Sequence, residues 1–234
     1  MVKGRQHDSL NKPKPNTVEI SLFEKLVLMQ HYGIRTRLLD ITFDSLIVLF
    51  FAFYNDPKCQ NDDSKDSVVL VYEIPQDAIL NWHSDKASVI SNIAAYGYDD
   101  LNVGAMDSDI KSFNENDSIH HLLHEIRTEK PHFLNEIVKD HLESVYCVHP
   151  LLDNPRIKAQ QGVFLLFGID GDKRHIATLE SSKGPEIRLV KFRIPQFAKA
   201  QIREELEILG KTVDTVYPDW DGVADYFNRF YGKK

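Results

Sequence analysis

Residues 30–54 read Gln30-His31-Tyr32-Gly33-Ile34-Arg35-Thr36-Arg37-Leu38-Leu39-Asp40-Ile41-Thr42-Phe43-Asp44-Ser45-Leu46-Ile47-Val48-Leu49-Phe50-Phe51-Ala52-Phe53-Tyr54. The first thirteen carry a His, a Tyr, two Arg, an Asp and two Thr. The last ten are almost wholly apolar and read as interior. Burying polar groups costs free energy unless each finds a partner. A polar cluster that runs straight into a buried helix is therefore either a satisfied structural network or a ligand site.

Outward from this stretch the pattern is mixed. Ser21 with Glu24 three residues on is a capping-box spacing. The apolar positions Leu22, Phe23, Leu26, Val27 and Met29 predict a helix that stops at Gly33. Thr36 to Asp40 reads as a short strand or extended turn. Asp44 or Thr42 caps the next helix, which runs to about Tyr54 and is apolar all round. Residues 55–66 read as a surface loop. Ser67 to Ile74, Ser144 to Val148, Gly162 to Ile169 and Glu186 to Ile194 read as strands.

Short helices are predicted at Gln76 to Trp82, Ser118 to Arg127 and Pro131 to Leu142. Gln196 to Leu209 and Asp219 to Tyr231 read as the closing helices. The expected class is α+β: one domain with a mixed sheet of about five strands flanked by helices. Residues 1–17 read as a flexible lead-in. Residues 18–234 form the domain, with 83–143 as a candidate helical insertion.

Bulk properties limit the function classes. A chain of 234 residues with 42% hydrophobic and 27% charged content builds a core without staples. Two Cys, Cys59 and Cys147, do not make a disulfide scaffold and fit a reducing compartment, so a cytoplasmic location is expected. The apolar run at 46–54 is far shorter than the ~20 residues of a spanning helix, so no membrane association is expected. A net charge of −7 argues against non-specific nucleic-acid binding. No glycine-rich phosphate loop, paired metal-binding Cys, His-Glu-x-x-His or Gly-x-Ser-x-Gly is present. His120 and His124 are helix neighbours at i,i+4, but no spacing fixes a third ligand, so no metal is expected.

Two places are locally basic within this acidic chain: Arg35 with Arg37, and Arg156 with Lys158 ahead of Gln160-Gln161-Gly162. Guanidinium matches phosphate geometry bidentately, so an anion site is one reading of both. The alternative is a structural bridge from Arg37 to Asp40. His31 and Tyr32 are placed to stack on a base or nicotinamide, or else to pack structurally. A Gln amide suits a carboxamide or a ribose hydroxyl. If both signatures serve one anion site, Arg37 and Gln160 should meet in space.

The same residues carry a family resemblance. QHYGIRTRLLDIT followed by LIVLFFA is similar to the central signature of the FRG domain family. RIKAQQGVF at 156–164 resembles a second signature, and VYPDWDG at 216–222 its C-terminal end. The family's name-giving Phe-Arg-Gly segment has no counterpart here, since Met1 to Asn16 offers only Lys3-Gly4-Arg5.

By analogy, strand, Thr-containing turn and apolar helix are similar to the segment lining the NAD cleft of ADP-ribosyltransferase folds. The resemblance implies His31, Arg37 and Gln161 as catalytic residues. It implies Tyr32, Arg35, Thr36, Thr42, Arg156, Gln160 and Phe164 as nucleotide-binding residues. It also implies NAD as cofactor and a setting in bacterial stress or phage defence. With the upstream segment missing, slow or absent NAD turnover is expected. Three alternatives stay open: a nucleotide-handling enzyme, a non-catalytic module for a nucleotide, nucleic acid or peptide with a protein partner, and a purely structural network.

Overall fold

The computed structural model describes residues 20–53, 64–97 and 101–218. Cys59, residues 55–63 of the predicted loop, the lead-in at 1–17, the closing stretch from Asp219 and the predicted helix at 219–231 lie outside the described residues.

In chain order the elements are α1 (Leu22–His31), β1 (Leu38–Thr42), α2 (Ser45–Phe53), β2 (Ser67–Glu73) and β3 (Ile79–Asn81). They continue as α3 (Asp85–Asn92), α4 (Ile110–Asn114), α5 (Asp117–Glu129), α6 (Lys139–Leu142), β4 (Val145–His149), α7 (Pro155–Ala159) and β5 (Gly162–Phe167). The last are β6 (Ile169–Asp170), β7 (Asp172–Ile176), β8 (Arg188–Ile194), α8 (Lys199–Ile208) and α9 (Val213–Val216). The class is α+β, as the sequence predicts.

The sheet differs from the single five-stranded one expected. The strands split into a four-stranded sheet in the order β1-β5-β4-β3 and two ribbons, β2-β8 and β6-β7. In the main sheet only β3 and β4 run parallel. Two strands escape the sequence pattern for physical reasons. β3 has only three residues and follows a 310 turn at Gln76–Ala78, where a helix was predicted. β7 is polar, reading Asp-Lys-Arg-His-Ile, so alternation gives no signal.

The predicted N-terminal cap forms. The Ser21 side chain accepts from the Glu24 amide, and the Ser21 amide donates to Glu24 Oε2 over 2.8 Å. Such a cap is worth about 1 kcal/mol. Gly33, at φ 79°, closes the helix as expected. Phe23 and Leu26 point inward, and the Phe23 ring meets Phe164 edge-on at 6.0 Å.

The predicted helix at 131–142 shortens to α6. Asn114 explains why: its side chain donates to Ile137 O over 2.8 Å and accepts from Ile137 N over 2.9 Å. This pair copies a strand pairing and holds Ile137 out of a helix. Apolar residues of α3, α4 and α5 sit in the same core as the main sheet. Glu129 at the end of α5 ties that layer to α1. It accepts from the Leu22 amide over 2.6 Å and from the Ser88 and Asn92 side chains.

A second, smaller core holds Ile47, Phe50 and Phe53 of α2 against Leu206 and Val216. Asp44 caps α2 by accepting from Leu46 N over 2.8 Å, and Lys211 pairs with its other oxygen at 2.6 Å. Burial opposes the Asp44 charge, but the Lys211 and Leu46 hydrogen bonds outweigh it and hold the carboxyl below its ordinary range.

Candidate functional site: an apolar groove beside the first strand

A groove of about 1620 Å³ runs between α1, β1, α2, the β2-β8 ribbon and the segment around α7. Its walls are mostly apolar: Phe23, Val27 and Leu28 from α1, Val48, Leu49 and Phe51 from α2, and Phe192 and Ile194 from β8. β1 and the residue after it contribute Leu39 through Phe43 without a gap, and β2 contributes Val68 through Tyr72. A strand face would offer alternate residues only. Unbroken runs mean that both strands turn an edge towards the groove.

Several polar groups interrupt these walls, and those around Asp40 are joined. Gln30 Nε2 donates to Asp40 Oδ1 over 2.7 Å, and Thr36 Oγ1 donates to Gln30 Oε1. The Thr36 bond fixes which way the Gln30 amide points. Burial by the groove walls pushes the Asp40 carboxyl above its ordinary value. The Arg156 charge and the Gln30 hydrogen bond pull it part of the way back. The Arg156 guanidinium lies over the Tyr217 ring, 4.7 Å from its centroid, in cation-π geometry. Asn154 caps the short helix that carries Arg156, with Pro155 at its first turn. Phe43, at one end of the groove, stacks on His149 with ring centroids 5.3 Å apart.

The groove gathers some of the residues singled out in the sequence and leaves others aside. His31, Thr42, Arg156, Gln160 and Phe164 line it, whereas Tyr32, Arg35, Thr36, Arg37 and Gln161 are not on its lining. Tyr32 is 73% exposed, resting edge-on against His31. Arg35 is exposed. Gln161 is exposed at φ 45°, the turn conformation between α7 and β5, and its carbonyl accepts from Phe43 N. Two of the lining groups are already engaged. Gln160 Nε2 donates to Val216 O over 3.1 Å, and Thr42 Oγ1 donates to Gln160 O over 2.7 Å.

Arg37 and Gln160 do not meet. In the antiparallel β1-β5 pair, Leu38 faces Leu166 and Thr42 faces Gly162, so Arg37 and Gln160 lie at opposite ends. Five residues of strand at ~3.4 Å each put them on the order of 17 Å apart. Among the described residues Arg37 does not pair with Asp40. It donates to Gly168 O over 2.9 Å and Lys173 O over 3.2 Å. Burial pulls its pKa down.

Asp40 and Gln30 are the residues that sequence reasoning underused. They stand ten positions apart across a helix end and a turn, so no periodicity links them. Elsewhere, Cys147 is buried and its thiol is pushed up to about 11, which leaves it a weak nucleophile. His120 and His124 line a small surface pocket with Arg127. Among the described residues no group of three or more His, Cys, Asp or Glu is placed to hold a metal. Nor is any described helix long and apolar enough to cross a membrane.

Residues 2–61 match the family model described as FRG domain. The first signature lies inside that match; the stretches at 156–164 and 216–222 lie outside it. The resemblance read from the sequence therefore stands, on residues 2–61. No curated protein and no solved structure matches the chain.

Proposed function

We propose that this FRG-domain chain binds a nucleotide-like small molecule in the groove beside β1. One observation carries the reading: Gln30 and Arg156 both act on Asp40 in the lining of a mostly apolar groove. A nucleotide needs such a combination of apolar walls for a heterocycle, a guanidinium for phosphate, and a carboxylate and amide for ribose hydroxyls. Arg156 is the phosphate ligand in this reading. Asp40 and Gln30 take the ribose, and Phe43 and Phe51 flank the ring.

NAD is the first ligand to try, on the strength of the FRG resemblance. A transferase or glycohydrolase activity would use Asp40 as the carboxylate that stabilises an oxocarbenium-like ribosyl centre. A second reading, binding without turnover, is favoured by the placement of the residues first considered catalytic. Of His31, Arg37 and Gln161, only His31 lines the groove.

The test is a calorimetric and thermal-shift panel of NAD, ADP-ribose, AMP and nicotinamide with the purified chain, paired with nicotinamide release from NAD. Ligand at 100 times its dissociation constant adds about 2.7 kcal/mol of stability. Binding of the phosphate-bearing ligands, lost in Arg156→Ala, supports the reading; no binding by any of them overturns it. Nicotinamide release that Asp40→Asn abolishes would favour the enzyme over the binding module.

A further inference from the structure

β1 is an edge strand. It pairs with β5 and, among the described residues, with nothing on its other side. The ladder fixes which of its backbone groups are spare. Phe167 N donates to Arg37 O and Phe43 N donates to Gln161 O, so Arg37 and Phe43 are hydrogen-bonded partners of β5. In an antiparallel pair that role alternates along the strand. Arg37, Leu39, Ile41 and Phe43 therefore face β5. The N–H and C=O of Asp40 and of Thr42 face the other way, into the groove, and no hydrogen bond among the described residues takes them up.

Three further observations point to what fits there. The groove, at about 1620 Å³, exceeds the roughly 300–1,000 Å³ of a small-molecule site. β2 also contributes an unbroken run of backbone, Val68 through Tyr72, to the lining. The charged residues of the lining are Glu24, Asp40 and Asp153 against Arg156, an acidic excess.

We propose that the free edge of β1 captures an extended peptide as an added antiparallel strand, with a basic residue of that peptide opposite Asp40. The register follows from the geometry. The peptide residue opposite Asp40 exchanges both backbone hydrogen bonds with it, through the spare N–H and C=O. Directly opposed residues project on the same face, so a Lys or Arg there reaches the Asp40 carboxylate. The Gln30 amide takes Asp40 Oδ1 and the Arg156 charge also acts on the carboxylate, while no hydrogen bond or ion pair among the described residues takes Oδ2, so a peptide cation shares the carboxylate with Arg156. The neighbours on either side of the basic residue project to the other face, beside Leu39 and Ile41, and are apolar. The recognised pattern is apolar-basic-apolar in extended conformation.

This inference does not rest on the nucleotide reading. Its test contains no nucleotide, so either can fail without the other. The probe is a fluorescein-labelled, C-amidated peptide Thr-Val-Lys-Val-Thr, followed by polarisation against the purified chain at low and high salt. Binding is expected to weaken about tenfold when the Lys amide nitrogen is methylated, which removes the donor to the Asp40 carbonyl. A Glu in place of the Lys should weaken it by a similar factor, and Asp40→Lys should restore binding to the Glu peptide while losing the Lys peptide. The methylated peptide needs no protein variant, so a folding defect in Asp40→Lys leaves the inference testable. No saturable binding of the Lys peptide, or equal binding of the methylated one, overturns it. Binding that ignores the charge exchange overturns the proposed register.

Discussion

Replacing Arg37 should damage the fold and not the ligand site. Its guanidinium holds two carbonyls, Gly168 O at 2.9 Å and Lys173 O at 3.2 Å, from residues more than 130 positions away. Hydrogen bonds to a charged group are worth about 1.5–3 kcal/mol each, and removing the donor leaves carbonyls that are hard to satisfy otherwise. The carbonyl of Gly168 also accepts from Ala177 N, so its loss is only partial. Arg37→Ala should therefore cost about 2–4 kcal/mol. For a chain of this size that lowers Tm by roughly 4–16 °C. Arg37→Lys retains the charge but reaches one carbonyl, so its loss should fall between wild type and Ala. The assay is urea and thermal denaturation of the three proteins, with ligand affinity measured below the transition. A stable Arg37→Ala protein with lost nucleotide binding would refute the structural assignment and return Arg37 to the site.

Three other outcomes are expected. Gly168→Ala should be among the most disruptive single changes, at about 3 kcal/mol or more, because the added Cβ would lie 2.1 Å from Leu142 O and 2.8 Å from Ser144 O; denaturation measures it. Asp40→Asn should stabilise the free protein at neutral pH, since burial raises the Asp40 pKa and so penalises the ionised form on folding. The advantage should shrink as pH falls through the raised value towards the ordinary one near 3.8, which Tm against pH will show. Lys211→Ala should cost about 1–2 kcal/mol by removing the partner of Asp44. The Asp44 carboxyl is held low, so the Lys211 contribution is present at neutral pH and lost as pH falls through the depressed value.

The parts of the fold written in local pattern were legible. Ser21 with Glu24 marked one helix start, Gly33 marked its end, and the alternation at 188–194 marked a strand. What was illegible depends on contacts distant in sequence. Ile79 to Asn81 is a strand only because Cys147 to His149 lies alongside it. Residues 131–138 stay out of a helix partly because the Asn114 side chain pins Ile137.

The groove was half legible for the same reason. Of the residues that the resemblance points to, Arg156, Thr42, Gln160 and Phe164 line it. The sequence offers Arg37 an Asp40 partner three residues away, while its hydrogen bonds go to carbonyls of a distant turn. The role of Asp40 became visible only when α1 brought Gln30 over it and α7 brought Arg156 near it.

The central claim is that Arg156 and Asp40 make this groove a nucleotide site. Isothermal titration of ADP-ribose into wild type, Arg156→Ala and Arg37→Lys tests it most directly. Wild type should bind saturably, folded Arg37→Lys should retain binding, and Arg156→Ala should lose at least about tenfold, the equivalent of one charge-assisted contact. Equal affinity in wild type and Arg156→Ala, or no heat of binding in any of the three, would contradict it.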